Sequence, residues 1–331
     1  MTSWVDRGML PGVTAAVASP AGLWVGAAGA DTAGTPLTPE AGMALLDITW
    51  SFTAAEVLLL AERGELDLDA PASTYVPVRQ VANGVTVRQL LAHRAGIPDP
   101  GAEVYEEPLA SEPDAHWTTE RFLEPVAKAT DPPDERTYVD TTNYELLGLV
   151  VEKVSGRPLG ATYESDLWSP LGLTRVALQD EQRLPSPRAA PGEDKDLPEG
   201  IADDRYLPFR AFVSAVRASL GAAGDAGTAA RWGYLLYGGH LLTPESVAQM
   251  TDFEEDDVGL GVFNCTTRVI ESPSIDCVGQ WGTRLGYSAV LTVVPSARTC
   301  VVVLTPSTAD AYGFVKWLVS AGDLLGNAPT A

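Results

Sequence analysis

Strand patterns at the two ends of the 331-residue chain, with helices and loops between them, are the strongest constraint on its fold. Near the start, apolar runs at 13–17 and 23–28 flank a Ser-Pro-Ala-Gly turn, which predicts a strand, turn, strand unit. Beyond residue 210 strands are predicted again, at 258–264, 268–270, 288–294 and 300–304. A single sheet built from both ends explains this order. We expect an α/β (α+β) fold, with an antiparallel sheet flanked by helices and an inserted, mainly helical domain.

Two segments have strong helical patterns. In 51–63 apolar residues recur on a helical face and Gly64 is a stop signal, and 142–154 has a similar pattern that ends at Gly156. Shorter helices are predicted at 85–93, 227–237, 244–250 and 310–324. The expected division is an α/β sheet domain of residues 1–65 and 205–331 and a helical, loop-rich insert of residues 66–204, with the active-site cleft between them.

The charge of the chain disfavours two classes of partner. The sequence has 22 Lys and Arg residues against 44 Asp and Glu, a formal net charge of −22. Such a field repels phosphate backbones and anionic lipid headgroups. We therefore expect no nucleic-acid and no membrane partner, and a small molecule as the substrate.

Targeting signals and cysteine spacing give further expectations. No stretch approaches the roughly 18 apolar residues of a membrane-spanning helix, and no basic start precedes an apolar segment, so a cytoplasmic location is expected. Three cysteines are an odd number for a disulfide framework. Free thiols are expected, with a Cys265–Cys277 bridge as the alternative. No cofactor motif and no metal-ligand spacing is found, and neither His116 nor His240 has a ligand partner in sequence.

Five segments, in order, resemble the family of serine β-lactamases, penicillin-binding proteins and class C-like esterases, which is known for a Ser-x-x-Lys motif. They are SFTAAEVLLLAERGELDLDAPASTYVP (51–77), VTVRQLLAHRAGIPD (85–99), TNYELLGLVVEKVSGRPL (142–159), SPLGLTRV (169–176) and, together, GQWGTRLGYSAVLTVVP with CVVVLTP (279–306). The resemblance implies a β-lactamase/transpeptidase-like fold, and it makes His93 part of a structural motif.

The resemblance assigns the nucleophilic serine and its lysine to positions that hold Asp47 and Trp50. A carboxylate is not activated as a serine hydroxyl is, and an indole supplies one N–H donor and no base. Ser51 lies one helical turn beyond Asp47, but Ala54 stands where its lysine would be needed. Both chemical roles of the Ser-x-x-Lys motif are therefore expected to be missing.

The two remaining motifs are also altered. The family's Tyr-x-Asn motif falls on Tyr138-Val139-Asp140, and its His-x-Gly or Lys-Thr-Gly motif falls on Gln280-Trp281-Gly282. In these two motifs only Tyr138 and Gly282 keep the residue that the family has. The resemblance thus gives a cleft with two acids, two indoles, a glutamine and a phenol.

Such a set predicts proton transfer. If Asp47 and Asp140 share the cleft, their repulsion favours one carboxylate and one protonated acid, which is a general acid–base pair. The helix that begins after Asp47 favours its ionised form, so Asp47 is the expected base and Asp140 or Tyr138 the expected acid. A simple helix N-cap is the structural alternative for Asp47.

The two indoles are expected to stack on a flat or cationic substrate, with Gln280, Gly282 and Ser51 also in contact with it. Core packing is the structural alternative for Trp50 and Trp281. The loops at 98–136 and 180–210 are expected to rim the cleft.

Three functions remain open at this stage. The first is a non-hydrolytic acid–base enzyme of small-molecule metabolism, acting in a cyclisation of the Pictet–Spengler or Mannich type, an isomerisation or an elimination. The second is a catalytically silent binding protein. The third is an esterase or amidase that works through Asp47, Ser51 or an activated water. The oligomeric state is left open.

Overall fold

The structure, a computed structural model, describes residues 1–100, 106–127, 140–253, 257–266, 275–309 and 311–321. Within these ranges the strands are β1 Gly12–Ser19, β2 Gly22–Gly29, β3 Met43–Ala44, β4 Val176–Leu178, β5 Ala222–Gly224, β6 Phe263–Asn264, β7 Val278–Arg284, β8 Tyr287–Val294 and β9 Thr299–Thr305.

One antiparallel sheet joins the two ends of the chain, as predicted. Its strand order is β2-β1-β9-β8-β7-β6, and the central pairing of β1 with β9 sets Thr14 opposite Leu304. A second, small sheet has the order β3-β5-β4. The strand predicted at 258–264 is reduced to β6, because Gly261 has φ +74° and breaks the extended backbone before it. The strand predicted at 268–270 lies outside the described residues.

Twelve α-helices lie in the described residues, and most of them fall between β2 and β6. They are α1 Thr2–Asp6, α2 Ile48–Glu62, α3 Val87–Leu91, α4 Glu106–Ser111, α5 Thr119–Leu123, α6 Asp140–Ser155, α7 Leu159–Tyr163, α8 Arg210–Ala215, α9 Arg217–Leu220, α10 Ala226–Tyr237, α11 Pro244–Met250 and α12 Ala311–Ala321. Short 3-10 segments lie at Ala72–Thr74, Arg79–Val81 and Pro295–Ala297, and a π-helical turn at Glu164–Trp168. None of the helices described is long and apolar enough to cross a membrane.

Helix α3 begins with a reciprocal cap. The Thr86 hydroxyl accepts from the backbone N–H of Gln89, and the Gln89 side chain accepts from the backbone N–H of Thr86. Two N–H groups that the helix leaves unpaired are thereby satisfied. This confirms the predicted capped helix, although it ends at Leu91 rather than at His93.

Both faces of the large sheet are buried. Along β9, Val302 and Leu304 join the core on the side of α10, whereas Val301 and Val303 join a second core on the side of α12. This alternation follows from the two-residue repeat of a strand. It explains why β8 and β9 are nearly continuous apolar runs, and it fixes which residues of β7 face α2.

Helix α2 is the central helix of the main core. Every residue from Ile48 to Leu60 is buried, so the helix has no polar face. The same core includes residues from the sheet and from the helical segment, for example Leu147 and Leu291. The division into a sheet domain and an insert stays a prediction.

Glu56 is a carboxyl group inside this core. Its side chain lies on α2 with no exposed surface, and among the described residues neither carboxylate oxygen has a hydrogen-bond partner. Burial raises the pKa of Glu56 to about 8, and the nearby Asp166 carboxylate adds to the effect while Arg63 and Arg157 oppose it. The folded protein therefore holds the Glu56 proton near neutral pH.

This burial predicts a specific loss of stability with rising pH. Because the pKa of Glu56 is about 8 in the folded state against an ordinary 4.5, the folded state binds the proton more tightly than the unfolded chain does. Its contribution to stability is greatest below pH 4.5 and declines as pH rises toward 8, by at most about 5 kcal/mol. Urea unfolding of wild type and Glu56→Gln at several pH values measures this, and Glu245→Gln, which changes an exposed acid on α11, is the control. Equal pH slopes for wild type and Glu56→Gln would contradict the assignment.

Candidate active site

A tight turn delivers Asp47 to the start of α2. Leu46, directly before it, is 1% exposed and has φ +47°, in the left-handed region that a bulky residue rarely adopts. The turn is closed by backbone bonds from Thr49 N to Leu46 O (2.8 Å) and from Trp50 N to Asp47 O (3.1 Å). Strain of this kind persists only where the surrounding structure enforces it, and it concentrates at functional sites.

The Asp47 side chain extends to strand β7. A Cβ atom placed on Gly282 would lie 2.9 Å from both Cγ and Oδ1 of Asp47, so the carboxylate packs directly on the glycine backbone. Asp47 has helical dihedrals (φ −63°, ψ −14°) and makes no side-chain cap to α2. An N-cap residue normally has extended dihedrals and accepts from the helix. The simple cap considered for Asp47 is therefore wrong, and its half-buried carboxylate lies in the cleft between α2 and β7.

Trp50 lies in the core rather than in the cleft. It is 3% exposed, and its indole stacks on Tyr144 with ring centroids 5.4 Å apart. The rings of His93 (4.9 Å) and Phe263 (5.5 Å) enclose it further. We call Trp50, His93, Tyr144 and Phe263 the Trp50 cluster. The expectation that this indole stacks on substrate is corrected by its burial: the position that the resemblance assigns to a lysine is occupied by a packed, apolar ring.

Ser51 faces away from Asp47, into the core on the side of α10. It has no exposed surface, donates its hydroxyl hydrogen to Ile48 O (2.6 Å) and accepts from the Trp232 indole N–H (2.7 Å). Both hydrogen-bonding roles of the hydroxyl are thus used. Its proposed contact with substrate, and its alternative role as a nucleophile, are corrected by this placement.

The motif Gln280-Trp281-Gly282 is divided between the two faces of β7. Gln280 is fully buried and donates from its amide to Tyr237 Oη and to Gly261 O, each at 2.8 Å. Trp281 points to the opposite face, where it meets Tyr312 of α12 edge-on at 6.3 Å. Only Gly282 contacts Asp47 among these three. The expected stacking of Trp281 on a substrate in the cleft is therefore corrected, and Gln280 is held in the core.

The remaining predicted site residues are not described at the level of side chains. Tyr138 lies outside the described residues, and Asp140 is placed only as the first residue of α6. Their roles as proton donors stay predictions. In the described part of the chain, no group of three or more His, Cys, Asp or Glu side chains could hold a metal ion.

A cavity of about 260 Å³ opens beside the end of β7, one residue beyond Gly282. It is lined by Glu106, Leu109, Asp194, Asp196, Phe209, Phe212, Thr283, Arg284 and Leu285. Both loops that the sequence predicts at the cleft, 98–136 and 180–210, contribute to this lining. Sequence reasoning missed Phe209, Phe212 and Arg284, although Arg284 follows Gly282 at the two-residue spacing of a strand face.

The cavity combines an aromatic floor with an acidic rim. Phe209 and Phe212 are 2% and 3% exposed, and their ring centroids are 5.9 Å apart. At the rim, Arg284 forms an ion pair with Glu106 at 3.4 Å. The lining also contains Asp194, which accepts from the backbone N–H groups of Asp196 and Gly286, and Asp196, which lies 3.9 Å from Lys195 Nζ. A flat apolar group that carries a positive charge would find complementary surfaces here.

The packing of Trp50 generates a stability prediction. Its indole nitrogen is buried without a hydrogen-bond partner among the described residues, so Trp50→Phe removes ring volume but no hydrogen bond. In Trp232→Phe the same change also removes the bond to Ser51. We expect Trp50→Phe to cost less free energy of unfolding than Trp232→Phe, by about 1–2 kcal/mol, and Trp50→Ala to cost about 3–5 kcal/mol. Chemical denaturation measures all three, and a larger cost for Trp50→Phe than for Trp232→Phe would show that the indole N–H is bonded.

Comparison with known proteins identifies a family model and several relatives that match this chain. The Beta-lactamase family model matches residues 1–319. Esterase EstB of Burkholderia gladioli is 27% identical over 298 residues, covering 77% of this chain and 75% of the esterase. Penicillin-binding protein 4* of Bacillus subtilis (strain 168) is 24% identical over 156 residues, which cover 45% of this chain but only 33% of that protein.

Solved structures agree on the fold. D-amino acid amidase from Ochrobactrum anthropi SV3, complexed with L-phenylalanine amide, superposes with a TM-score of 0.81 at 20% identity, covering 99% of this chain and 97% of the amidase. A D-stereospecific amidohydrolase from Streptomyces sp. gives 0.76 at 23% identity, covering 97% and 99%. With the family model matched over nearly the whole length, the chain belongs to the Beta-lactamase family.

Proposed function

We propose that this protein is a small-molecule enzyme in which Asp47 transfers a proton in place of the acyl-enzyme chemistry of the family. One observation carries the proposal. The carboxylate of Asp47, at the position that the resemblance assigns to the nucleophile, packs on Gly282 in the cleft instead of capping α2. Three of the four relatives named above are hydrolases by name, an esterase, an amidase and an amidohydrolase, so the proposal is a change of chemistry on a shared architecture.

The described residues of α2 do not supply the nucleophile and base that acyl transfer requires. The lysine position holds Trp50, whose indole offers no base and is enclosed by the Trp50 cluster. The hydroxyl of Ser51 is buried and bonded on both sides. A covalent ester to a serine on α2 is therefore not supported, which favours a reaction that needs only the addition and removal of protons.

Asp47 has the properties of a general base. It lies at the N-terminus of the 15-residue helix α2, where the helix dipole favours a carboxylate. The strained turn at Leu46 and the contact with Gly282 fix its orientation. Tyr138 or Asp140 is the proposed proton donor. A carboxylate held in this way removes a proton from carbon in a cyclisation of the Pictet–Spengler or Mannich type, an isomerisation or an elimination.

The cavity beside β7 supports an aromatic amine as the substrate class. Phe209 and Phe212 provide apolar lining, with their rings tilted by 54° to each other, while Asp194 and Asp196 provide negative charge. An aromatic ring on this floor would place an ammonium or iminium group toward the acids. Asp47 is not part of the lining, but Arg284 of the lining lies two residues beyond Gly282, on the same face of β7.

The second candidate function is a binding protein without catalytic turnover, and the fixed position of Gln280 favours it. In the described residues its amide is committed to Tyr237 and Gly261 inside the core, so it does not assist a reaction at Asp47. The two candidates share the cavity and differ only in what Asp47 does. Their experiments therefore separate binding from conversion.

The cavity predicts selective binding of a cationic aromatic ligand. We expect 2-phenylethylamine to bind more tightly than 3-phenylpropanoate, and Asp194→Asn to weaken the amine about tenfold through loss of a charge-assisted contact. Isothermal titration at low ionic strength measures both affinities. Glu245→Gln, which removes an exposed acid on α11 away from the cavity, is the control. Equal affinities for amine and carboxylate would reject the proposed substrate class.

Asp47 predicts a separation of conversion from binding. Wild type is incubated with aromatic amines, alone and with aldehydes, and products are followed by mass spectrometry. Asp47→Asn should lower the conversion by about 10² or more and leave the affinity for 2-phenylethylamine within about twofold. Gly282→Ala, whose Cβ would lie 2.9 Å from Asp47 Cγ, should displace the carboxylate and give the same loss.

The other candidate functions give different results in the same experiment. Amine binding with no conversion by wild type would favour the binding protein. Hydrolysis of chromogenic esters or of a chromogenic cephalosporin, abolished in Asp47→Asn, would return the protein to the hydrolases, with Asp47 activating a water. If Asp47→Asn converts the substrate as fast as wild type does, Asp47 has no role in the mechanism.

A further inference from the structure

Cys265 and Cys277 lie directly opposite each other where β6 and β7 meet. The register pairs Phe263 with Gly279 and Asn264 with Val278, and the next pair in the same register is Cys265 with Cys277. The backbone N–H of Cys265 donates to Cys277 O at 2.8 Å, which supplies one bond of this next pair, while the backbone N–H of Cys277 donates to Thr266 Oγ1 at 3.1 Å. Residues paired in this way have Cα atoms about 5.5 Å apart, within the range that a disulfide spans.

The two thiols also meet. Opposite residues of an antiparallel pair project to the same face of the sheet, and both side chains lie in the core on the side of α12. The thiol of Cys277 is within hydrogen-bonding contact of the thiol of Cys265. Burial raises the pKa of Cys265, and its contact with Cys277 raises that pKa further. Cys265 is therefore held as a neutral thiol inside the core.

Cys300 is excluded from this pair by its position. It lies on β9, and its side chain belongs to the core on the opposite face of the sheet, beneath α10. A Cβ on Gly233 of α10 would lie 2.6 Å from its sulfur, which shows how closely that helix covers it. The chain thus contains a facing pair and, as an internal control, a third buried thiol that does not reach it.

We propose that Cys265 and Cys277 are a reversible dithiol/disulfide pair that locks the edge of the sheet beside the candidate active site. A small disulfide such as oxidised glutathione is the oxidant. One protein thiolate attacks it, forming a mixed disulfide and releasing one thiol; the second protein thiolate then displaces the other thiol and closes the Cys265–Cys277 bond. Two electrons pass from the two cysteines to the small disulfide, whose two sulfurs take up the two protons.

The place of the pair in the sheet allows exchange. β6 is only two residues long and is the outermost strand on its side of the sheet. Short edge elements open with the smallest free-energy cost. Opening there exposes both sulfurs without disturbing β8 and β9.

The proposed disulfide would restrain residues that contact the Trp50 cluster and strand β7. Phe263, two residues before Cys265, packs on Trp50 of the Trp50 cluster and on Trp281. Gln280, three residues after Cys277, is held by the carbonyl of Gly261, which precedes β6. The disulfide would therefore fasten the segment that encloses the Trp50 cluster to the strand that carries Gly282.

The test measures thiols and stability in glutathione buffers of defined ratio. The full chain is refolded from urea in each buffer, so that burial does not prevent equilibration, then acid-quenched, alkylated in denaturant and weighed. Wild type and Cys300→Ser should each lose two alkylatable thiols in the oxidising buffer, whereas Cys265→Ser and Cys277→Ser should form no internal disulfide. Because the bridge closes a loop of 13 residues, oxidation should raise the Tm of wild type and Cys300→Ser by about 4 °C.

Clear results would overturn the proposal. Three free thiols in wild type under the most oxidising buffer, or a peptide map with Cys300 in the bridge, would reject the pair. Oxidation of wild type without any rise in Tm would reject the lock. If Cys265→Ser does not fold, the Cys300→Ser variant alone still decides, because its two remaining cysteines must then pair or stay free.

Discussion

The approach of the Asp47 carboxylate to the backbone of Gly282 depends on three features that lie far apart in the sequence. The strained turn at Leu46 aims the side chain, the buried helix α2 fixes its origin, and strand β7 presents a residue without a side chain. A methyl group on Gly282 would already overlap the carboxylate. The geometry of the candidate site is therefore set by backbone placement, and the sheet that joins both ends of the chain is what brings β7 to α2.

Around this contact, the described side chains at the other motif positions are held in the core. A lysine at position 50 would need polar partners, whereas Trp50 is enclosed by aromatic rings and has an unpartnered N–H among the described residues. Apolar packing at this point stabilises the core, and an indole supplies no base at the position that the resemblance assigns to the lysine. Gln280 and Ser51 are likewise bound to core neighbours. Among the residues that the structure describes, Asp47 is the carboxylate at the start of α2 that packs on β7, and our proposal of proton transfer rests on it.

The sequence was sufficient for the architecture but not for the direction of each side chain. Continuous apolar runs predicted β8 and β9 because both sheet faces are buried, and the Thr86 cap predicted α3. Strand β7 was not among the predicted strands, so the two-residue repeat that points Trp281 away from Gly282 became visible only in the structure. Trp50 gave no such signal, since α2 is buried on all sides and has no apolar stripe. The role of Asp47 depended on its dihedral angles and on those of Leu46, which sequence does not show.

The net charge of −22 connects the exclusions with the proposed substrate. A field of this sign repels nucleic acids and anionic lipids, and it also concentrates small cations at the surface. At physiological salt it is screened within about 8 Å, so long-range attraction alone does not select a ligand. Selection requires acids close to the bound molecule, and Asp194 and Asp196 are at that range in a cavity whose floor is aromatic. The overall charge would then accelerate the encounter with an aromatic amine, and the cavity would distinguish it from other cations.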